Sequence, residues 1–233
     1  MGQTQIEKLA STPRFQRRRP KCDRGGARWR VTSALVGVVV SLSISASALA
    51  QTIVDEWSEI KAPPAPALKP AKLDAKDTAL LMLDFVKQIC SPRPRCVASL
   101  PRVQGLLARA RENGVMVVYS LAGQPMTDVL PEVVARAGEA SVSSGPDKFM
   151  NTDLEKILKD RGIKTVIVTG TAAEGAVLNT AAGAALRGFK VIVPVDAASS
   201  TLPYNEQYTA WHLGNSPRVG PQVTLTKIDQ ITF

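Results

Sequence analysis

The sequence predicts an α/β domain with a mainly parallel, doubly wound sheet and helices on both faces. Four apolar runs of strand length alternate with segments of helical character, which is the order typical of such a sheet. The runs are apolar almost throughout, as expected of strands that are buried on both faces. In addition, 45% of the 233 residues are hydrophobic and 21% are charged, which is typical of a globular protein with an ordered core.

The first half of the predicted domain contains two strands around one helix. Residues 79–85 predict the first strand, and residues 115–120 predict the second. Between them we expect a helix that begins near Leu100, has Pro101 at an early position and ends at Gly114.

A long irregular region follows the second strand. Residues 121–149 are predicted to contain at most one short helix, near residues 132–137, and loops of this length are usually functional or mobile. The next helix is predicted to begin with a capping box, in which Thr152 and Glu155 satisfy each other's backbone N–H groups. It should end at Gly162.

The second half of the domain contains the remaining elements. Residues 164–170 predict the third strand, which a turn and a helix follow as far as Gly188. The rest is predicted as a fourth strand with a loop (residues 189–199), a helix (203–213) and a short terminal strand or pair of strands (222–233).

The first fifty residues differ from the rest of the chain in charge. They contain nine Lys or Arg against two acidic residues, and so hold seven of the nine net positive charges. A basic stretch to Arg30, an uncharged run over residues 31–50 and the small residues Ala48 and Ala50 predict a secretory signal peptide cleaved after Ala50. An uncleaved anchor is the alternative, because the run is about long enough to span a bilayer. We therefore expect a periplasmic or secreted protein with no nucleic-acid partner and no membrane association after cleavage.

Residues 51–77 contain the Pro- and Ala-rich stretch APPAPALKPAKL, which predicts a linker because it has little capacity to bury apolar area. The folded domain is then expected over residues 78–233, which is about 155 residues and the size of one domain.

Two cysteines, Cys90 and Cys96, fall within the predicted domain and enclose a short loop with two prolines. In an oxidising compartment we expect them to form a disulfide. A reactive thiol and two unpaired thiols are the alternatives, and no neighbouring His is available to activate a thiolate. We expect no metal, because the single His212 and the cysteines fit no ligand spacing. We also expect no cofactor, since Ala176 and Val177 stand where a phosphate-binding loop needs Lys and Ser or Thr.

Three groups are predicted to lie beyond the carboxyl ends of the strands, where ligands bind in sheets of this type. Asp84 ends the first strand, Lys148 precedes a helix, and the turn of residues 171–176 follows the third strand. Each has a structural explanation as well, since an Asp after a strand often caps a turn and a Lys before a helix is usually solvated. It is their order along the chain that favours a functional site.

Asp84 in LLMLDF, Lys148 in GPDKF and the stretch VIVTGTAAEGAVLNTAAGAALRGFKVIVPVDAAS together resemble the isochorismatase-like hydrolase superfamily, also called the cysteine hydrolases. The resemblance covers roughly residues 76–230. It implies a three-layer αβα sandwich on a six-stranded parallel sheet, a small-molecule substrate and assembly into homo-oligomers.

The resemblance also assigns Asp84 and Lys148 to a catalytic triad whose third member is a Cys. That Cys lies six residues after the glycine that ends the strand, which is the position of Ala176 here, so no thioacyl intermediate can form there. The true isochorismatases of the superfamily lack the Cys too and hydrolyse a vinyl ether, for which a general acid does the main work. By similarity, Asp84 is the general acid/base, Lys148 its orienting neighbour and Gln124 a substrate-binding residue. The Asp-x-His that binds a metal in nicotinamidases is missing from YSLAGQPM.

The turn after the third strand supplies the other candidate substrate-binding residues. They are Thr171, Ala172, Ala173, Glu174 and Gly175. The small residues let the next helix approach the sheet and aim first-turn N–H groups at a ligand. By similarity we expect a non-prolyl cis peptide bond near Thr171 and Ala172.

Two further features have alternative interpretations. Glu174 is either a solvent-directed acid favoured by the helix dipole, or a wall or base of the site that faces Asp84. Trp211 and His212 are candidates for covering the pocket, although an aromatic pair on a late helix is more often part of the packing.

Three hypotheses about function follow. The first is an exported hydrolase that acts without a Cys nucleophile on a small, anionic or carbonyl-bearing molecule. The second is a non-catalytic small-molecule-binding protein with the same fold. The third is thiol chemistry at Cys90.

Overall fold

The computed structural model describes residues 52–233, so the predicted signal peptide, residues 1–50, lies outside the described residues. The chain divides into two compact units, Met1–Ser58 and Glu59–Phe233. The described part of the first unit holds one short helix, α1 (Ile53–Glu56). Over the whole described range, no helix is both long and apolar enough to cross a membrane.

The second unit is built on a parallel sheet. Its described strands are β1 (Ala71–Lys72), β2 (Thr78–Leu83), β3 (Met116–Leu121), β4 (Ala140–Ser143), β5 (Thr165–Thr171), β6 (Lys190–Pro194), β7 (Ala198–Ser199), β8 (Val223–Thr226) and β9 (Ile231–Thr232). The main sheet has the order β4-β3-β2-β5-β6-β8 with parallel neighbours throughout, and β7 pairs with the end of β5. The predicted α/β class with a mainly parallel, doubly wound sheet is confirmed.

Helices cover both faces of this sheet. They are α2 (Lys87–Cys90), α3 (Pro94–Glu112), α4 (Leu154–Asp160), α5 (Leu178–Leu186) and α6 (Pro203–Asn215), and a π-helical turn (Ala173–Val177) leads into α5. One face is packed by α4, α5 and α6. The opposite face is packed by α2 and α3. The result is the three-layer sandwich implied by the resemblance.

The two central strands are buried along their whole length, which explains why they appear in the sequence as apolar runs. Their close contact depends on Gly170, which has a φ of +143° and faces Leu83 in the register of β2 and β5. A Cβ atom at this position would lie 2.2 Å from the Leu83 carbonyl oxygen. Only glycine therefore allows the two strands to approach at the edge where Asp84 begins.

The start of α3 differs from the prediction. The helix begins at Pro94 rather than near Leu100, so Pro101 lies inside it and not in its first turn. Pro94 takes the first position, where a missing N–H costs nothing, and Cys96 and Leu100 are buried on the same face. The ring of Pro101 is tolerated because it lies on the exposed side.

The region predicted to be irregular contains the edge strand β4 and two short 3₁₀ turns, Met126–Asp128 and Pro131–Val133. No α-helix forms at residues 132–137. The strand escaped prediction because it has only four residues and only Val142 is buried, so it carries almost no periodic signal.

The predicted capping box does not form. The hydroxyl of Thr152 accepts a hydrogen bond from the N–H of Leu154 at 3.2 Å and donates one to the carbonyl of Lys148 at 2.6 Å. Glu155 instead forms ion pairs with Lys159 and Arg187. Competition from these cations removes the carboxylate from the helix start, while Gly162 ends the helix as predicted, at a φ of +69°.

Part of the predicted linker lies against the domain. The strand β1 pairs in parallel with β9, and the N–H of Lys69 donates to the carbonyl of Leu225 at 2.9 Å. Residues 63–67 line a groove together with Trp211. A Pro-rich segment has no core of its own, but its apolar rings can cover apolar surface that another element provides.

Candidate active site

Three parallel strands bring the candidate residues to one edge of the sheet. In the register, Leu83 on β2 faces Ser120 on β3 and Gly170 on β5. The next residue, Asp84, therefore begins beside the carboxyl ends of both neighbours, and its N–H donates to the carbonyl of Ser120 at 3.2 Å. Asp84 has a φ of +56°, which turns the chain out of the strand at this point.

Asp84 and Lys148 form a buried ion pair. The Nζ of Lys148 lies 2.8 Å from Oδ2 of Asp84, and the hydroxyl of Ser120 donates to Oδ1 at 2.8 Å. Lys148 is 0% exposed and Asp84 is 5% exposed. Both carboxylate oxygens are thus engaged, and the pair is shielded from solvent.

Burial raises the pKa of Asp84 above its ordinary value of 3.8, and it outweighs Lys148 and Ser120, which act in the opposite direction. An Asp beside a Lys is normally a poor proton donor, because the cation stabilises the carboxylate. The direction of this shift is the one that a general acid requires.

The segment around Lys148 is fixed from several sides. The Nζ also donates to the carbonyl of Ser144 at 3.2 Å, and the backbone N–H donates to the hydroxyl of Thr180 at 3.2 Å. Thr180 lies four residues after Ala176, which is about one helical turn, so the two residues are on the same face. The Lys148 segment is therefore docked next to the turn that carries Ala176.

The turn after β5, residues 171–176, has the backbone expected from the resemblance. A cis peptide bond joins Thr171 and Ala172, and Ala173 and Ala176 are buried. One expectation is wrong in part. The N–H groups of Gly175 and Val177 donate to the carbonyl of Ala172 at 3.1 and 3.3 Å, so they are not free to bind a ligand. The π-helical turn uses them to close its own backbone.

Glu174 does not fit the first of its two interpretations, a solvent-directed acid. It is partly buried and does not project freely into solvent, because its Oε1 accepts a hydrogen bond from the amide of Asn205 at 2.7 Å. Its Oε2 is buried and has no hydrogen-bond partner among the described residues. No hydrogen bond links it to Asp84 in the described part of the chain.

Within residues 52–233, no hydrogen bond or ion pair joins the ion pair of Asp84 and Lys148 to Gln124, Trp211 or His212. Gln124 follows β3 at the correct edge, but its side-chain oxygen accepts from the N–H of Ala122 at 3.1 Å. Trp211 lines the groove with residues 63–67, and His212 lies 3.4 Å from the hydroxyl of Tyr208. Both residues lie on α6, where Trp211 is exposed and His212 is partly buried.

Cys90 and Cys96 are joined by a disulfide bond and are fully buried. The bond links α2 to the first turn of α3, a few residues after Asp84. Because neither sulfur is a thiol, the hypothesis of thiol chemistry at Cys90 has no support in the structure.

Sequence reasoning missed Ser120, Thr180 and Asn205. Ser120 ends the predicted second strand, so its position at the carboxyl edge was a usable signal. Thr180 and Asn205 lie within helices and contact the site through tertiary packing, for which the sequence carries no marker. Over residues 52–233, no three His, Cys, Asp or Glu side chains are grouped as metal ligands.

In a comparison with protein families, residues 78–226 match the isochorismatase domain. Among curated proteins, the chain is 28% identical over 146 residues to maleamate amidohydrolase of Pseudomonas putida, covering 49% of this chain and 68% of the relative. It is also 28% identical over 143 residues to the secreted isochorismatase effector Isc1 of Verticillium dahliae, covering 55% and 75%. A third relative, streptothricin hydrolase of Streptomyces noursei, is 28% identical over 187 residues, covering 69% and 72%.

Solved structures agree on the fold. An isochorismatase family protein from Desulfovibrio vulgaris superposes with a TM-score of 0.59 at 21% identity, covering 66% of this chain and 95% of that chain. A cysteine hydrolase from Pseudomonas syringae gives a TM-score of 0.60 at 20% identity, covering 73% and 96%. At these identities the likeness concerns the fold alone.

Proposed function

Because the chain belongs to the isochorismatase family, we propose that it is a small-molecule hydrolase that works without a cysteine nucleophile, with Asp84 as general acid/base and Lys148 as its partner. The observation that carries this proposal is the buried contact of 2.8 Å between the two side chains, beside a turn with Ala176 at the nucleophile position. The relatives support a hydrolytic reaction on a small molecule, since two of them are named hydrolases of maleamate and streptothricin.

The mechanism must avoid an acyl-enzyme, because Ala176 cannot attack a carbonyl carbon. Protonated Asp84 donates its proton to a basic carbon or oxygen of the substrate, as in the hydrolysis of an enol ether. Water then adds to the resulting cation and returns a proton to the Asp84 carboxylate. The neutral adduct collapses as its hydroxyl proton passes to the leaving oxygen and the C–O bond breaks, which yields a carbonyl compound and an alcohol. The ammonium of Lys148 stabilises the carboxylate during the interval in which it lacks the proton.

A substrate with a small, anionic or carbonyl-bearing group fits this arrangement. Lys148 is the charged group beside Asp84, and the remaining first-turn N–H groups of residues 171–176 are candidates for holding an oxyanion. Gln124 and Glu174 stay candidate substrate-binding residues at the rim. Each already accepts a hydrogen bond, Gln124 from the N–H of Ala122 and Glu174 from the amide of Asn205.

A non-catalytic binding protein is the second candidate. The observation that favours it is again Ala176, together with the exclusion of the ion pair from solvent. A protein that only binds would keep the charge of Lys148 without needing proton transfer.

One experiment separates the two candidates. The purified protein is assayed for hydrolysis of maleamate, streptothricin, nicotinamide and isochorismate, before and after thiol alkylation, and binding is followed by calorimetry. We expect turnover that survives alkylation and falls by about 100-fold or more in Asp84→Asn. The matched control is Asp160→Asn, which removes an exposed carboxylate on α4. Binding without turnover would establish the second candidate, and loss of activity on alkylation would contradict both.

We also propose that the protein is exported and forms homo-oligomers. The leader pattern of residues 1–50 and a relative that is named as secreted support export. Cell fractionation with mass spectrometry of the mature amino terminus tests it, with Gln51 expected as the first residue. Light scattering after gel filtration tests the assembly, and a monomeric mass would contradict it.

A further inference from the structure

The segment that carries Lys148 is held through both of its neighbours by one side chain, Arg187, at the end of α5. Its Nη1 lies 4.0 Å from Oδ2 of Asp147, the residue before Lys148. Its guanidinium carbon lies 4.6 Å from the ring centroid of Phe149, the residue after Lys148. We propose that Arg187 is a positioning residue that keeps the Lys148 amine against Asp84. This inference rests on the proposed function only where it gives Asp84 and Lys148 a catalytic role.

Arg187 is itself anchored at two further points. Its Nη1 donates to the carbonyl of Gly183 at 3.0 Å, and its Nε donates to Glu155 on α4 at 3.1 Å. The ring under its guanidinium, Phe149, stacks on Phe189 at a centroid distance of 6.1 Å. A planar guanidinium can make these hydrogen bonds at its edge and the ring contact at its face together, and a lysine cannot.

The small residues of α5 make room for this contact. A Cβ atom on Gly183 would lie 3.0 Å from Oδ1 of Asp147 and 3.1 Å from Nη1 of Arg187. The Oδ1 of Asp147 also accepts a hydrogen bond from the N–H of Phe149 at 3.0 Å. The glycine therefore lets the helix approach the segment closely enough for Arg187 to reach it.

The expected consequence is electrostatic. The charged group that contacts Asp84 is Lys148, and those that contact Arg187 are Asp147 and Glu155. Lys148 lowers the pKa of Asp84 against the effect of burial. If the segment loosens, the amine withdraws, and the pKa of the carboxyl rises further. Arg187 thereby sets the pH at which Asp84 gains its proton, although it touches neither Asp84 nor a substrate.

The test is Arg187→Met in the folded full-length protein. The probe is the side-chain carboxyl carbon of Asp84, titrated by NMR in ¹³C-labelled protein and assigned with Asp84→Asn. We expect the pKa of Asp84 to rise by roughly half a unit or more relative to wild type. The pH profile for hydrolysis of the best panel substrate should move in the same direction. A purely structural role would lower stability without moving either midpoint.

Two variants serve as controls. Glu155→Gln removes the negative charge on the far side of Arg187 but keeps an oxygen that can accept from its Nε, so the pKa of Asp84 should stay within about 0.2 units of wild type. Arg187→Lys keeps the charge but loses the ring contact, so the pKa of Asp84 in this variant should lie between its values in wild type and in Arg187→Met. If Arg187→Met does not fold, Phe149→Leu removes the ring contacts with Arg187 and Phe189, keeps the hydrogen bonds of Arg187, and should raise the pKa of Asp84 by a smaller amount.

The proposal is overturned if a folded Arg187→Met or Phe149→Leu protein keeps the wild-type titration of Asp84. Its failure is separate from failure of the proposed function. A wild-type protein that hydrolyses no panel substrate removes the catalytic interpretation, while the titration still decides whether Arg187 positions Lys148.

Discussion

The ion pair of Asp84 with Lys148 and the turn of residues 171–176 lie at the same edge of the sheet, yet they differ in what they contain. The turn has its cis peptide bond, its π-helical start and its buried small residues, but it carries Ala176 where the family resemblance predicts a nucleophilic Cys. The ion pair has both of its charged groups in contact. Backbone contacts and small residues maintain the conformation of the turn, so the turn does not need a reactive side chain to keep its geometry. A buried charge pair, in contrast, requires both partners.

The largest expected effect comes from breaking the ion pair. Lys148→Met leaves Asp84 either charged without a counter-ion or obliged to take up a proton, so we expect the free energy of unfolding to fall by at most about 3–5 kcal/mol at neutral pH. Urea unfolding measures this loss. The double variant Asp84→Asn with Lys148→Met is the control and should recover most of it. If Lys148→Met alone lowers the free energy of unfolding by less than about 1 kcal/mol, the pair is not effectively buried.

The second prediction concerns the pH dependence of the same pair. Burial raises the pKa of Asp84 above 3.8, so the folded protein holds this proton more strongly than the unfolded chain does. The stability that this group contributes is fully present below its ordinary pKa and is lost as the pH rises through the raised pKa. Urea unfolding of wild type and Asp84→Asn at several pH values above 3.8 isolates the effect. The advantage of wild type over the variant should shrink with rising pH, and growth of that advantage would contradict the direction of the shift.

A smaller effect is expected from loosening the turn. Asn205→Ala removes the hydrogen bond to Glu174, whose other carboxylate oxygen is already buried without a partner. We expect a loss of about 1–3 kcal/mol, measured by urea unfolding. Asn215→Ala is the matched control, because its amide bonds a carbonyl on the exposed side of the same helix, and it should cost less than Asn205→Ala. Equal losses would mean that Glu174 does not depend on Asn205.

The smallest effect on stability, and the most informative one on activity, is expected from Ala176→Cys. The site is buried and the added sulfur is small, so the free energy of unfolding should change by about 1 kcal/mol or less. If the turn and the ion pair are both competent, the variant gains thiol-dependent amidase activity toward nicotinamide or maleamate. Ala182→Cys, which places a thiol elsewhere on α5, should gain none. A folded Ala176→Cys protein that stays inert would show that the turn is not aligned with the pair.

How much of the molecule could be predicted depended on how strong each local signal was. The central strands were found because each is buried along its length, and Gly170 marked the end of β5. The edge strand β4 was missed because only Val142 points inward. The start of α3 was misplaced because Pro94 and Pro101 are both compatible with a first turn, and burial of the intervening face decided between them.

The candidate site shows the same division. Asp84 and Lys148 were found from their order along the chain, whereas Ser120 and Thr180 were not, since each is an ordinary polar residue whose role depends on its neighbour in space. Arg187 is the extreme case. It ends a helix beside Gly188, as many basic residues do, and only the packing of α5 on the Lys148 segment gives it a further role.

The alternation of buried strands and helices can be read from the amino-acid order alone, as can the succession of Asp84, Lys148 and Ala176, because burial patterns and glycine stops act over a few residues. The contact of 2.8 Å between the Asp84 carboxylate and an amine 64 residues away exists only in the folded domain. The tertiary structure also decided that burial outweighs this cation in setting the pKa of Asp84. Both outcomes depend on the register of three parallel strands and on the layers that exclude water from their common edge, which no short stretch of sequence encodes.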